Sequence, residues 1–473
     1  MNREPTRRDI SLLLALLPLL MMVALVVVGH MLYDIDLRFI LLVSAVISGI
    51  TAYISGVSVK QMFEAYSATI KEAFPIILIL IAIGGIVGSW MYSGTVPYLI
   101  YYGLKYLNHD FVLVSAFLVT AMVSTFTGTS WGSAATAGVA FMGIGASMGV
   151  PLPMVAGAAL SGAFFGDKIS PVSDTTNLCA LSSGVTVYQH IRGMLPNVLI
   201  AGFLAAIGFV LLGMFYTGTP SDITAVPEII DNLDEIYNLN IAMLLPAAVV
   251  FIGGYKGYHP VILMICSSLI AVLIGALSNG FAFNDGAQAI ISGFNLEMIE
   301  NKGVELNQIP EILKELLDDR GGFEGMMKGA VLYCILAIAF GSFMEVSGAF
   351  NKLMKLLLSV VKSTFGLIVS AFIAGGLLNG ISGNGAFSII TTGQLFKPHF
   401  KKKSIPSTVL ARSMENSMTL LESLLPWHVT AIYMAATLGV AALDYIPFSL
   451  FNISGIILFF ILSWLGVKRS WKR

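Results

Sequence analysis

The sequence predicts an all-α polytopic membrane protein built from two inverted repeats, each with five crossings, one re-entrant hairpin and one broken helix. Three observations predict it. Of the 473 residues, 56% are hydrophobic and only 11% charged, and mean hydropathy is +0.85; an ordinary soluble chain carries about 25% charged residues. Apolar runs of roughly 20 residues, the length that crosses a bilayer, follow one another along the chain. The order of runs and interruptions in the first half returns in the second. The composition argues against a water-soluble enzyme, and a net charge of −1 offers no basic field for nucleic acid. Cys179, Cys266 and Cys334 stand at no metal-ligand spacing and read as small packing residues. No cofactor is expected.

Full-length runs occupy residues 10–29, 37–56, 74–94, 194–217, 239–254, 258–280, 326–346 and 446–466. The first reads as an uncleaved span, since no small-residue cleavage site follows it. Two stretches, 150–187 and 405–440, are too long for one helix and carry Gly, Pro, Ser and acids near their middles. Each reads as one span broken halfway, which makes ten crossings. Two more, 111–149 and 363–396, fold about polar clusters at Thr127–Gly132 and Asn379–Gly385. They read as re-entrant hairpins whose halves are too short to cross, with two further pairs of ordinary spans as the alternative. Non-helical backbone at that depth survives only inside protein or beside a wet cavity. Segments 96–107 and 349–361 fit helices lying in the interface.

Charge sets the orientation. Arg3, Arg7 and Arg8 at one end and Lys468, Arg469, Lys472 and Arg473 at the other place both termini in the cytoplasm. An even number of crossings agrees. The acidic segments 218–238 and 281–325 are then external. His190, Arg192, Lys256 and the basic run 397–403 are internal.

The halves match at a nearly fixed separation. Gly88-Ser89-Trp90-Met91 returns as Gly341-Ser342-Phe343-Met344, and the tip ending in Gly132 aligns with the tip ending in Gly385. Asp167, Pro171, Thr175, Ala180, Gly184 and Val185 align, 255 residues on, with Glu422, Pro426, Thr430, Ala435, Gly439 and Val440. Residues 1–217 therefore read as the first repeat, 218–238 as an external loop, and 239–473 as the second repeat with 281–325 inserted. Five crossings per repeat force opposite insertion. Inverted repeats with interrupted helices describe secondary transporters, because frayed backbone leaves carbonyls for a cation and N–H groups for an anion.

Ionisable groups inside a membrane cost roughly 2.5–3.5 kcal/mol each on insertion scales. Those present here are candidates for the site. The first break offers Asp167, Ser170, Ser173, Asp174, Thr175, Thr176 and Asn177, oxygen ligands suited to a hard cation. Pro171 interrupts the helix. Asp174 is either an ion ligand or an N-cap, and Asp167 either a functional acid or the salt-bridge partner of Lys168. The second break offers Glu415, Asn416 and Glu422, with Arg412 placed to neutralise Glu415. The tips add Thr127, Thr129, Ser130, Ser382 and Asn384. Sodium is expected at Asp174 with Thr129 and Ser130. Competition between H⁺ and Na⁺ for one carboxylate suffices for exchange. His428 is a candidate pH sensor or a hydrogen-bonded packing residue.

At these residues the sequence resembles the NhaC-type Na⁺/H⁺ antiporter family of bacterial inner membranes. The matching pieces are Thr127-Gly-Thr-Ser-Trp-Gly132, Gly166-Asp-Lys-Ile-Ser-Pro-Val-Ser-Asp-Thr-Thr176, and Pro426-Trp427 followed by Leu438-Gly439-Val440. The resemblance implies Na⁺/H⁺ antiport, a homodimer, and an elevator-like movement of hairpins and broken helices against a scaffold. Glu422, His428 and Ala431 depart from the family pattern. The family also contains exchangers of small organic acids, malate against lactate, so an organic solute is the alternative cargo. No enzymatic nucleophile–base pair stands out.

Overall fold

A computed structural model describes residues 10–215, 226–359 and 361–470. Arg3, Arg7, Arg8, Lys472, Arg473 and the first part of the acidic loop lie outside these residues. The regular secondary structure of the described residues is helical, with one isolated bridge between Phe294 and Arg320.

The helices are α1 (Leu12–His30), α2 (Leu37–Ile54) and α3 (Val59–Tyr92), then α4 (Thr95–Tyr106) and α5 (His109–Thr127). Helix α6 runs from Ser130–Ser133 through a wide turn at Ala134–Gly138 into Val139–Ser147. Next come α7 (Leu152–Ile169), α8 (Asp174–Ser183) and α9 (Val187–Phe215). They are followed by α10 (Val226–Ile236), α11 (Ile241–Tyr255) and α12 (Pro260–Ser278). After short helices in the acidic insertion, α13 (Phe323–Val346) leads to α14 (Ala349–Ser359), α15 (Thr364–Ser382) and α16 (Gly385–Lys402). The chain closes with α17 (Ser407–Glu422), α18 (Val429–Leu438) and α19 (Leu450–Ser470).

Among the described residues eight helices are long and apolar enough to cross a membrane, or ten if each of two bent pairs is one span. Large apolar side chains stand exposed on them, such as Leu13 on α1, Phe203 on α9 and Ile262 on α12, as lipid contact requires. The chain is a multi-pass membrane protein.

Several boundaries differ from the sequence reading. Helix α3 starts at Val59 rather than residue 74 because Ser58 and Gln61 form a capping box. Helix α9 starts at Val187 rather than 194, where Thr186 and Gln189 bond reciprocally at 3.0 and 3.3 Å. The run 239–254 is only the 15-residue α11, joined to α10 at a bend of 93°. The first hairpin arms are longer than read: α5 and α15 have 19 residues each, enough at 1.5 Å per residue to approach the thickness of the hydrocarbon core. The eight long helices thus include both of these arms, which the ten predicted crossings leave out.

The hairpin turns fall where glycine permits a left-handed residue. The hairpins turn at Gly128 (φ +69°) and Gly383 (φ +64°), each followed by a capping side chain, Thr129 and Asn384. These glycines are 255 residues apart, the spacing that also relates Gly184 to Gly439 at the ends of α8 and α18. The tip register is therefore two residues from the Gly132–Gly385 alignment. Breaks occupy 170–173 and 423–428, so Glu415 and Asn416 sit within α17 rather than in the break.

Helix α5 lies tightly along α7. A Cβ at Gly166 would fall onto the Ala121 carbonyl and within 2.6 Å of Ser124 Cβ. Gly166→Ala is expected to cost about 1–3 kcal/mol through overpacking. Thermal unfolding of the detergent-solubilised variant measures it, and an unchanged melting temperature would contradict this packing.

Candidate functional site

Both hairpin tips abut the break of the broken helix in their own half. A Cβ on Gly128 would meet Val172 Cγ2 at 2.6 Å and Ser173 N at 3.0 Å. Gly383 lies similarly against Val429, and Trp427 Nε1 donates to the Gly380 carbonyl at 2.8 Å. The halves also interlock across the centre: Trp131 stacks on Tyr433 with ring centroids 4.0 Å apart, and the Tyr433 hydroxyl donates to the Trp131 carbonyl at 2.7 Å.

A second contact between the halves, between α7 and α17, holds a buried charge cluster. Lys168, near the end of α7, lies 3.8 Å from Glu415 Oε1 on α17, with side-chain exposures of 1% and 0%. Its Nζ also donates to the Glu415 carbonyl at 3.2 Å. Thr175 donates to Glu415 Oε1 at 3.3 Å. His190 Nε2 is 3.6 Å from Glu415 Oε2. Asp167, buried beside Ser173, and Glu422, beside Asn379, stand within electrostatic reach of Lys168 and Glu415. Helical continuity of α17 puts Glu415 and Glu422, seven residues apart, on one face. One carboxylate therefore pairs with the lysine and two more, Asp167 and the half-buried Glu422, lie within electrostatic reach of it. In a low-dielectric interior like charges cannot all persist without protons or cations.

This arrangement corrects two pairings. Lys168 pairs with Glu415 across the halves, not with the adjacent Asp167. Arg412 does not neutralise Glu415: no carboxylate pairs with it among the described residues, and its Nε is buried without a hydrogen bond. Placement also resolves Asp174. Ser173 is the N-cap of α8, accepting from Thr176 N, while Asp174 is exposed in the first turn. Ser170 and Thr176 are buried; Thr176 Oγ1 approaches the Asp167 carbonyl at 3.5 Å. Asn177 donates to the Pro171 and Ser173 carbonyls, tying the break together.

The tip residues serve the turns. Thr129 caps α6 through Gly132 N, Thr127 bonds the Val123 carbonyl, and Ser130 is buried. Ser382 bonds Ser388 at 3.3 Å. Asn384 caps α16 and reaches Glu72 Oε2 on α3 at 3.2 Å. Asn416 meets Asn197 of α9 at 3.3 Å. His428 caps α18, its Nδ1 accepting from Thr430 N at 3.1 Å and its Nε2 3.2 Å from Asn379 Oδ1. That is the pattern of a neutral ring donating through Nε2.

Sequence reasoning missed His190, Cys179, Asn379, Asn197 and Glu72. His190 was assigned to an internal loop but is fully buried in the first turn of α9. The Thr186-x-x-Gln189 capping signature would have placed it on a helix.

Helices interrupted in both halves, each break abutted by a hairpin tip, beside a buried acid cluster are the pattern of a secondary transporter. The sequence profile of the Na⁺/H⁺ antiporter family matches residues 10–176 and 162–467; the chain belongs to that family. It is 36% identical over 460 residues to an uncharacterized Na⁺/H⁺ antiporter of Haemophilus influenzae, covering 96% of this chain and 95% of that one. It is 33% identical to the malate-2H⁺/Na⁺-lactate antiporter of Bacillus subtilis (94% and 92% covered). It is 29% identical to the Na⁺/H⁺ antiporter NhaC of Alkalihalophilus pseudofirmus (96% and 95% covered).

Proposed function

We propose that the protein exchanges Na⁺ for H⁺ across the bacterial inner membrane, with Asp167, Glu415 and Glu422 as the groups whose charge the two cations balance in turn. The observation that carries this reading is the acid cluster on two broken helices: Glu415 paired with Lys168 at 3.8 Å, with Asp167 and Glu422 within electrostatic reach of both. Sodium takes the oxygen-rich break, with Asp174, Thr129 and Ser130 at its approach, and protons take the same carboxylates when sodium leaves. Everted vesicles test it. Na⁺ should dissipate a preset pH gradient, and absence of that signal in vesicles that contain the protein overturns the assignment.

The second reading, exchange of a small organic acid, is favoured by Arg412. Its unpaired guanidinium, one turn from Glu415, is suited to a bidentate carboxylate. Arg412→Gln should abolish labelled malate or lactate uptake in proteoliposomes and spare Na⁺-driven dissipation of the pH gradient. Equal uptake by wild type and variant removes Arg412 from any solute site.

The two copies of the unit, inserted with opposite topology and moving as an elevator, are supported by helix ends that recur 255 residues apart. Sidedness is supported by charge and contact. Lys302 of the acidic insertion donates to the Ile236 carbonyl of α10, so both acidic segments share one end of the molecule. Cysteines placed at Asp231 and Lys402 should label from opposite sides, the second from the cytoplasm; labelling from one side overturns the topology.

A further inference from the structure

We propose that Cys179, His190 and Glu415 form a binding site for a soft divalent cation of the zinc class, and that its occupation arrests exchange. The three come from α8, α9 and α17, and their ligand atoms all lie within 4.8 Å of one another. All three are fully buried. Two of them present open coordinating atoms: neither ring nitrogen of His190 has a hydrogen-bond partner, and Glu415 Oε2 has none either. Buried polar atoms without partners demand an explanation, commonly an ion or water.

The two carboxylate oxygens divide the work. Oε1 faces Lys168 and Thr175, so a metal need not displace the lysine. Oε2 faces His190 at 3.6 Å. Ligand atoms around tetrahedral zinc, with bonds near 2.0–2.3 Å, stand roughly 3.3–3.8 Å apart. The His190–Glu415 edge already has that length, and Cys179 closes the triangle with a shift of about 1 Å or less. The donor set, one sulfur, one imidazole nitrogen and one carboxylate oxygen, selects zinc-class ions over Na⁺. It is therefore chemically separate from the oxygen ligands of the first break. Binding forms a metal–sulfur bond and releases the thiol proton to solvent. Thiolate and carboxylate then balance the dication, and Lys168 keeps Asp167 and Glu422 as counter-charges. In the break that precedes α8, Pro171, Val172 and Asp174 are exposed beside half-buried Thr175, whose hydroxyl bonds Glu415 Oε1. A metal here ties α8, α9 and α17 together and holds Glu415 away from its role in exchange.

The test reads binding without transport, so its failure is distinct from failure of the Na⁺/H⁺ assignment. The metal-free, detergent-solubilised full chain is titrated with Co²⁺ and then Zn²⁺. One Co²⁺ per chain with a thiolate-to-metal absorption band is expected, and Zn²⁺ should displace it. Cys179→Ser should abolish the band, and His190→Gln should weaken binding about tenfold or more. The double variant Cys266→Ser, Cys334→Ser should behave as wild type. In proteoliposomes Zn²⁺ should inhibit wild-type exchange. Monodisperse elution verifies the fold of each variant; if Cys179→Ser does not fold, His190→Gln decides. A wild-type chain with no thiolate band, or a band that persists in Cys179→Ser, overturns the site and leaves water as the filler of the pocket.

Discussion

Lys168→Met is expected to destabilise the protein by about 3–5 kcal/mol, the cost of stranding a buried charge, whereas adding Glu415→Gln recovers most of that loss and leaves exchange at background. The reason is charge count. Wild type holds three acids and one lysine at the centre. Removing the lysine strands Glu415 with Thr175, His190 and Cys179 as its remaining neighbours. Removing both restores the original net charge with side chains of similar volume. Lys168 Nζ also bonds the Glu415 carbonyl at 3.2 Å, and the double variant frees that carbonyl, so recovery falls short of complete. Thermal unfolding in detergent reads stability, and vesicle assays read transport. A single variant as stable as wild type, or a double variant less stable than the single, would show that Lys168 and Glu415 do not hold the halves together.

Much of the architecture was legible because it is written in periodicity and punctuation. Apolar runs gave the spans, and Gly-Thr and Gly-Asn at the tips gave the turns. Ser-Pro at 170–171 and Pro-Trp at 426–427 gave the breaks. Helix starts were misread where polar residues continue an apolar helix beyond the bilayer, at Val59 and Val187; there the capping boxes carried the signal and hydropathy did not. The acids of the centre were legible as a set, since an acid inside an apolar run is conspicuous. Their partners were not. Lys168 has Asp167 beside it in sequence, yet the backbone of α7 turns its ammonium to α17, 247 residues away. Local spacing likewise favoured Arg412 for Glu415, and tertiary packing supplied Lys168 and His190 instead. Cys179 looked inert for the same reason, because ligands gathered from three helices leave no spacing to read.

The apparent affinity for Na⁺ should rise about tenfold per pH unit over the range in which one proton leaves for each Na⁺ bound. The sign follows from competition. Protons and Na⁺ neutralise the same carboxylates, so a lower proton concentration leaves more of the acid free for sodium, and the half-saturating Na⁺ concentration falls as pH rises. The slope belongs to the cluster rather than to a single acid, because closely coupled groups titrate together. Asp167→Asn or Glu422→Gln removes one negative charge while preserving shape. Each should flatten the dependence to about twofold per unit or less, since a cluster with fewer charges no longer needs a proton when sodium is absent. His428→Gln should leave the slope intact, because Nδ1 already accepts from Thr430 N and the ring is held neutral. The measurement is initial-rate Na⁺ dependence in proteoliposomes at several pH values. A wild-type affinity independent of pH would separate the proton and sodium sites. A slope lost in His428→Gln but kept in both acid variants would move proton sensing from the acid cluster to the cap of α18.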